Sequence, residues 1–328
     1  MTVVVTGATG HVGGNLVRTL LERGEKVRVL VHRSRESLTD LDVEFVQGGV
    51  HDVEALRRAL DGAKTLYHLA AMISIVGDAD GRVFRTNVDG ARNVATVARE
   101  VGVGRMVHFS SVHAFDHSKP GEINEEAPRV SNDPARHFAY DRSKAMGEAA
   151  VREQVALGLD AVIVHPSGVI GPNDFAPSRF GKAMLSMAKG HLPALTPGGY
   201  DWVDVRDVVS TVIAAAERGR TGQSYLVTGH YVELKDISQR ICAITGARAP
   251  LFTVPLAVAE AVAPIGAFLA RALKAEPLFT DESLSVLNTG VRFNHGLAKA
   301  ELGHEPRDFE ATLGDTLRWF RESGHLKG

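Results

Sequence analysis

The sequence predicts an α/β fold, a doubly wound parallel sheet with a smaller C-terminal lobe, and three observations carry that expectation. Apolar strand runs alternate with amphipathic helices without interruption from residue 1 to about 165, the pattern of a parallel sheet covered on both faces. The first strand runs straight into three glycines at a three-residue period, Gly7, Gly10 and Gly13, just ahead of a helix. After residue 165 the rhythm breaks at Pro166, Gly171-Pro172, Pro177, Pro193 and Pro197-Gly198-Gly199, punctuation that suits excursions building a second, smaller unit.

Each element follows from its local pattern. The β-branched run Val3-Val4-Val5-Thr6 makes a strand near 2–6, and Leu16, Val17, Leu20 and Leu21 recur at helical spacing in a helix near 12–23. Lys26–Val31 returns as a second strand and completes a βαβ unit. Further strands are expected near 43–46, 64–69, 104–109 and 160–165, with helices near 52–60, 80–101 and 138–157. Asp201-Trp202-Val203-Asp204-Val205 with the helix after it, and Ser224–Val227, read as chain returning to the sheet. The expected division is 1–165 plus about 200–230 for the sheet domain, and 166–199 plus 231–328 for the lobe.

Composition narrows the partners. With 328 residues and a formal net charge of -2, no basic excess marks a nucleic-acid or anionic-membrane partner. A single cysteine, Cys242, rules out an intrachain disulfide and fits a reducing compartment. A first strand starting at residue 2 leaves no room for a signal peptide, so a cytoplasmic location is expected. The apolar stretch Val254–Ala270 carries Glu260, Pro255 and Pro264 and is shorter than the roughly 20 residues of a membrane span. It reads as packing over the core or over a substrate pocket.

The glycines point to a ligand. They remove side chains where the turn is tight, where the backbone must approach a pyrophosphate, and where the helix packs on the strand. The helix N-terminus then offers free N–H groups and a partial positive charge, so a dinucleotide is expected there. The strand Arg105–Phe109 ends in Ser110-Ser111, at the carboxyl edge of the sheet. Downstream, Tyr140 and Lys144 stand four apart on a helix and share a face. A lysine there favours the phenolate and makes the tyrosine hydroxyl useful in proton transfer near neutral pH.

In these residues the sequence resembles the extended short-chain dehydrogenase/reductase family, within the NAD-dependent epimerase/dehydratase superfamily. The matching stretches are Thr6–Gly13, Tyr67–Ala71, Asn87-Val88-Asp89-Gly90, Ser110-Ser111, Tyr140 with Lys144, His165–Pro172 and Trp202–Val208. The resemblance implies a Rossmann-type domain, a nicotinamide cofactor and a Ser-Tyr-Lys set. On that basis Tyr140 is the acid/base, Lys144 holds the nicotinamide ribose and tunes Tyr140, and Ser111, chosen over Ser110, positions the reacting oxygen. Cofactor contacts are implied for Gly7, Thr9, Gly10, His11, Val12, Gly13, Arg33, Val50, Leu69, Ala70, Ala71, Asn87, Tyr140, Lys144, Pro166 and Gly168. Asn87 is equally readable as an ordinary helix-start residue. Substrate contacts are expected from Met72, His113, Ser167 and Tyr200, with Ile73 and Phe115 nearby.

Departures from the family pattern sharpen the reading. After the second strand stand His32, Arg33 and Arg35, with no carboxylate before Glu36, so Arg33 is expected to bind a 2′-phosphate and NADP(H) is favoured over NAD(H). Gly48-Gly49-Val50 replaces an Asp common in similar sequences, leaving adenine contacts there to the backbone. Val112-His113-Ala114 lacks the acidic residues of the family's dehydratases. Gly168 stands where sugar-nucleotide epimerases carry Asn, and no Arg lies near Tyr200 for a diphosphate. The remaining likeness is to the dihydroflavonol reductase-like and hydroxysteroid dehydrogenase-like enzymes, which implies reduction of a ketone or aldehyde of a fairly apolar small molecule. A nucleotide-sugar epimerase and a non-catalytic NADP(H) sensor are the alternatives. A His113/His117 metal site lacks enough convergent ligands, and none is expected. His108 reads as a packed, hydrogen-bonded core histidine. Related proteins dimerise through the 80–101 and 138–157 helices, so a homodimer through a helix bundle is a further expectation.

Overall fold

A computed structural model describes residues 2–32, 35–75, 77–192, 194–250, 252–255, 258, 285 and 287–327. Along the chain run β1 (Thr2–Thr6), α1 (His11–Glu22), β2 (Lys26–Val31), β3 (Glu44–Gln47), α2 (Val53–Leu60) and β4 (Ala63–His68). Then come α3 (Arg82–Phe84), a π-helical turn over Arg85–Asp89, α4 (Gly90–Glu100), β5 (Arg105–Phe109), β6 (Gly121–Ile123) and α5 (Ala139–Ala156). The second half adds β7 (Ala161–Pro166), β8 (Gly168–Ile170), α6 (Arg179–Ala188), β9 (Ala194–Leu195), β10 (Gly199–Asp204), α7 (Val205–Arg218), β11 (Ser224–Val227), β12 (His230–Glu233) and α8 (Leu234–Thr245).

Seven strands form one parallel sheet in the order β11-β7-β5-β4-β1-β2-β3. From β1 the chain winds outward through β2 and β3, then restarts at β4 on the other side of β1. The reversal therefore falls between β1 and β4, and it opens a crevice at their carboxyl ends. Strand alternation sends Val3, Val5, Val107, Val162 and Val164 to one face, where α1 and α7 cover them. Val4, Leu30, Met106 and Ala161 go to the other, under α2 and α4. The apolar sides of α4 and α5 also turn inward, through Val94, Ala98 and Val151, while Arg92 and Glu153 pair on the outside.

Two expectations about elements are corrected. β10 does not return to the large sheet: it pairs in parallel with β8 and antiparallel with β12 in a separate three-stranded sheet. Only α7 and β11 return, β11 pairing with β7. The expected helix over 80–101 is interrupted by the π-helical turn, which inserts one extra residue and shifts the faces on either side. Most of the apolar stretch 254–270 lies outside the described residues, among which no helix is long and apolar enough to cross a membrane.

Candidate active site

The loop between β1 and α1 is shaped by what glycine lacks. Gly7 has φ +71°, and a Cβ there would meet the Ala70 nitrogen at 2.7 Å; at Gly13 one would lie 2.2 Å from the Gly7 carbonyl oxygen. The bare face of Gly10 meets only the Gly7 carbonyl oxygen, at 3.4 Å. Gly10 caps α1 with no side-chain hydrogen bond, so the amides of His11, Val12 and Gly13 face outward at the positive end of the helix. An open cradle of backbone donors fits a pyrophosphate. The His11 ring turns away to the Pro172 carbonyl (3.0 Å), where Asn15 Nδ2 also donates (3.1 Å).

Around this cradle the neighbouring loops are fastened. Leu69 N–H donates to the Thr6 carbonyl and Ala70 N–H to Thr6 Oγ1, holding Leu69-Ala70-Ala71 over β1. Ser37 Oγ donates to the Thr9 carbonyl. Arg33 lies outside the described residues. Arg35, its expected helper, stacks on Phe45 and donates to Gln47. Val50 packs on Gly90, and its carbonyl accepts from Asn93 Nδ2 at 3.2 Å.

On the other side of the crevice, α5 presents Tyr140 and Lys144, which are 9% and 5% exposed. Lys144 Nζ donates to the Phe109 carbonyl at 2.7 Å, tying α5 to the strand end that precedes Ser110-Ser111. Burial pulls the Lys144 pKa from 10.5 to about 8, with the Glu148 carboxylate partly opposing. Ser111 caps the short turn Val112–Ala114, its Oγ accepting from His113 N–H at 3.2 Å. Ser110 Oγ points behind the site to Glu148 at 3.3 Å. Tyr140 meets the His113 ring edge-on, centroids 5.3 Å apart.

The sequence reading named Asn87 but not its partners, and neither Ser143 nor Glu148. Asn87, inside the π-helical turn, accepts from Met72 N–H (2.7 Å) and donates to the Met72 carbonyl (2.9 Å) and to Ser143 Oγ (2.9 Å). Ser143 Oγ in turn donates to the Tyr140 carbonyl, so one amide fixes the loop after β4 and the helix carrying Tyr140. Gly147 sits below, where a Cβ would be 2.2 Å from the Asn87 carbonyl oxygen. Glu148 binds Arg129, Arg152 and Ser110. Its carboxyl is held down at about 2: burial acts to raise it, and the charges of His165, Arg129 and Arg152 outweigh that. Tyr140 and Lys144 had a spacing to reveal them, whereas Asn87 meets Ser143, and Glu148 meets Ser110, only through packing.

Other assignments move. Phe115 is a core residue, with the Arg129 guanidinium 3.8 Å above its ring. Gly168 lies against the Trp202 indole, where a Cβ would have only 2.6 Å, so packing requires a glycine there. The Ser167 Oγ is buried beside the Asp201 carboxylate. His108 stacks on His68 at 5.4 Å, yet its Nδ1 has no partner; it is packed without the expected hydrogen bond there. His113 and His117 are engaged by Asp141, Tyr200 and the Val112 carbonyl, and no three possible metal ligands converge among the described residues.

A parallel sheet that reverses over a glycine cradle, beside a helix carrying tyrosine and a buried lysine, defines a Rossmann-type pyridine-nucleotide oxidoreductase of the extended short-chain class. The chain belongs to the NAD dependent epimerase/dehydratase family, whose model matches residues 3–228. It is 38% identical to sterol demethylase protein B of Methylococcus capsulatus over 99% of this chain and 100% of that protein. It is 32% identical to a putative dihydroflavonol 4-reductase of Synechocystis over 98% and 95% of the two chains. The crystal structure of gox2253 superposes with a TM-score of 0.84 at 33% identity, covering 99% of both chains.

Proposed function

We infer that the protein is an NADP(H)-dependent reductase of a ketone or aldehyde on a fairly apolar small molecule, reversible as an alcohol dehydrogenase and acting through Ser111, Tyr140 and Lys144. The observation that carries this reading is the buried Lys144, clamped to the Phe109 carbonyl one helical turn from Tyr140. A lysine kept out of water costs stability, and an ammonium there favours the phenolate of its neighbour. Two full-length relatives bear names that concern a sterol and a dihydroflavonol, polycyclic molecules in keeping with a fairly apolar substrate. No carboxylate follows Ser111 and no arginine stands beside Tyr200, which disfavours dehydration and a diphosphate substrate.

In this reading the loop Gly7–Gly13 and the first amides of α1 hold the pyrophosphate, and Arg33 with His32 or Arg35 receives the 2′-phosphate. The reduced nicotinamide, when bound, supplies a hydride. Ser111 accepts from His113 N–H and has its own proton to give to the substrate oxygen. Tyr140 delivers the proton that completes the alcohol. Two donors on one oxygen stabilise the alkoxide as it develops. A homodimer through a helix bundle would use the outward side of α4 and α5.

The test mixes the protein with NADPH and a panel of aliphatic, aromatic and steroidal aldehydes and ketones, following loss of the reduced-nicotinamide absorbance. Tyr140→Phe is expected to lower kcat by about 10²–10⁴-fold while still binding NADPH. Full turnover in that variant would overturn the assignment.

A further inference from the structure

Tyr200 comes from β10, in the small sheet, yet it is wired to the helix that carries Tyr140. His113 Nδ1 lies 2.8 Å from Asp141 Oδ1, and His113 Nε2 lies 3.1 Å from the Tyr200 hydroxyl. His113 and Asp141 are largely shielded, at 19% and 16% side-chain exposure. The chain of bonds has a direction. A carboxylate can only accept, so Nδ1 carries a proton toward Asp141, and where the ring holds that proton alone Nε2 is the acceptor. Tyr200 must then donate its only proton to His113, and its oxygen is left with lone pairs alone.

Both phenols share one imidazole: the His113 ring centroid is 5.3 Å from that of Tyr140 and 6.1 Å from that of Tyr200. Burial, with the negative charge of Asp201 and the nearby Tyr140 and Asp141, pushes the Tyr200 pKa far up, so it stays a neutral phenol. Its ring also packs edge-on to Trp202 at 5.5 Å. Tyr140 is an acid and Tyr200, by its wiring, an acceptor.

We propose that Tyr200, held by His113 and Asp141, is a second substrate-recognition site that accepts a hydrogen bond from a hydroxyl on the substrate, close to the carbonyl addressed by Tyr140. The preferred substrates are hydroxyketones. This rests on the reductase reading and adds a specificity determinant to it: a ketone without the hydroxyl leaves a shielded lone pair unmet, a loss of roughly ten- to hundredfold in affinity. His113 and Asp141 are positioning residues, since they act through Tyr200.

The experiment uses benzoin and deoxybenzoin, which differ only in one hydroxyl beside the carbonyl. Binding to the protein with NADPH is read from tryptophan fluorescence, Trp202 being next to Tyr200, and turnover from nicotinamide absorbance. The expected result is at least tenfold tighter binding of benzoin, a ratio that falls toward one in Tyr200→Phe. His113→Gln, which keeps an acceptor for Tyr200, is expected to retain part of the ratio and His113→Phe to lose it. Equal binding of the two ketones, or no binding of either, would overturn the proposal even if other ketones are reduced. Selective binding of benzoin that Tyr200→Phe abolishes, without turnover of any ketone, would instead uphold the site and defeat the reductase reading.

Discussion

Lys144 keeps its proton only up to pH about 8 in the folded chain, against an ordinary 10.5. Between those values the unfolded state binds more protons, so folding stability rises with pH across the window; below pH 8 the full cost of the buried charge is present. The shift corresponds to roughly 3 kcal/mol, partly returned by the hydrogen bond to Phe109, worth about 1 kcal/mol. Lys144→Met is therefore expected to raise Tm by a few degrees at pH 7 while abolishing turnover. Its advantage should vanish by about pH 10.5, and thermal melts at pH 7, 8.5 and 10 check both signs. A variant that melts lower than the parent at pH 7 would mean that Lys144 is better paired than its burial implies. The residue types at this site were legible, because a four-residue spacing needs only a helix. The bonds of His113 and Ser110 were not, because their partners stand 28 to 87 positions away.

The element that most depends on packing is the π-helical turn over Arg85–Asp89. The extra residue pushes the Asn87 carbonyl toward α5, and Gly147 makes room for it. Gly147→Ala should cost about 1–3 kcal/mol, the usual penalty for overpacking. It should also lower kcat, because the helix carrying Tyr140 must shift. Urea unfolding and steady-state kinetics on one preparation measure the two effects, and unchanged stability would refute so close a contact. Periodicity could not reveal this turn: one inserted residue leaves apolar positions on both sides that still read as a single helix. The misplacement of β10 has the same origin. An apolar strand followed by an amphipathic helix looks alike whether its neighbour is β7 or β8, and the choice rests on a pairing that local pattern does not contain.

At the scale of the molecule, the ligand crevice follows from strand order. β1 and β4 are neighbours whose connections leave in opposite directions, and the cradle of Gly7–Gly13 and the loop Leu69–Ala71 meet above them. In the proposed function the adenosine end of a bound cofactor would lie at the carboxyl end of β2, where the chain offers arginines and no early carboxylate. NADPH is accordingly expected to bind with at least tenfold lower Kd than NADH, one or two charge-assisted bonds being enough for that ratio. Titration of both cofactors, with Arg33→Ala removing most of the difference, decides it. Tighter binding of NADH would sink the assignment.

The amino-acid sequence by itself determined the strand-and-helix alternation, the glycine cradle, the Tyr140/Lys144 pair and the absence of a carboxylate between β2 and Glu36. All of these are local patterns, set by backbone sterics and by side-chain spacing within one element. Only the tertiary structure decided that β10 joins a separate sheet, that Ser110 serves Glu148, that Asn87 clamps the helix carrying Tyr140, and that Asp141, His113 and Tyr200 form one hydrogen-bonded chain. These depend on contacts between segments far apart in the chain, whose geometry emerges only when the apolar faces are buried together.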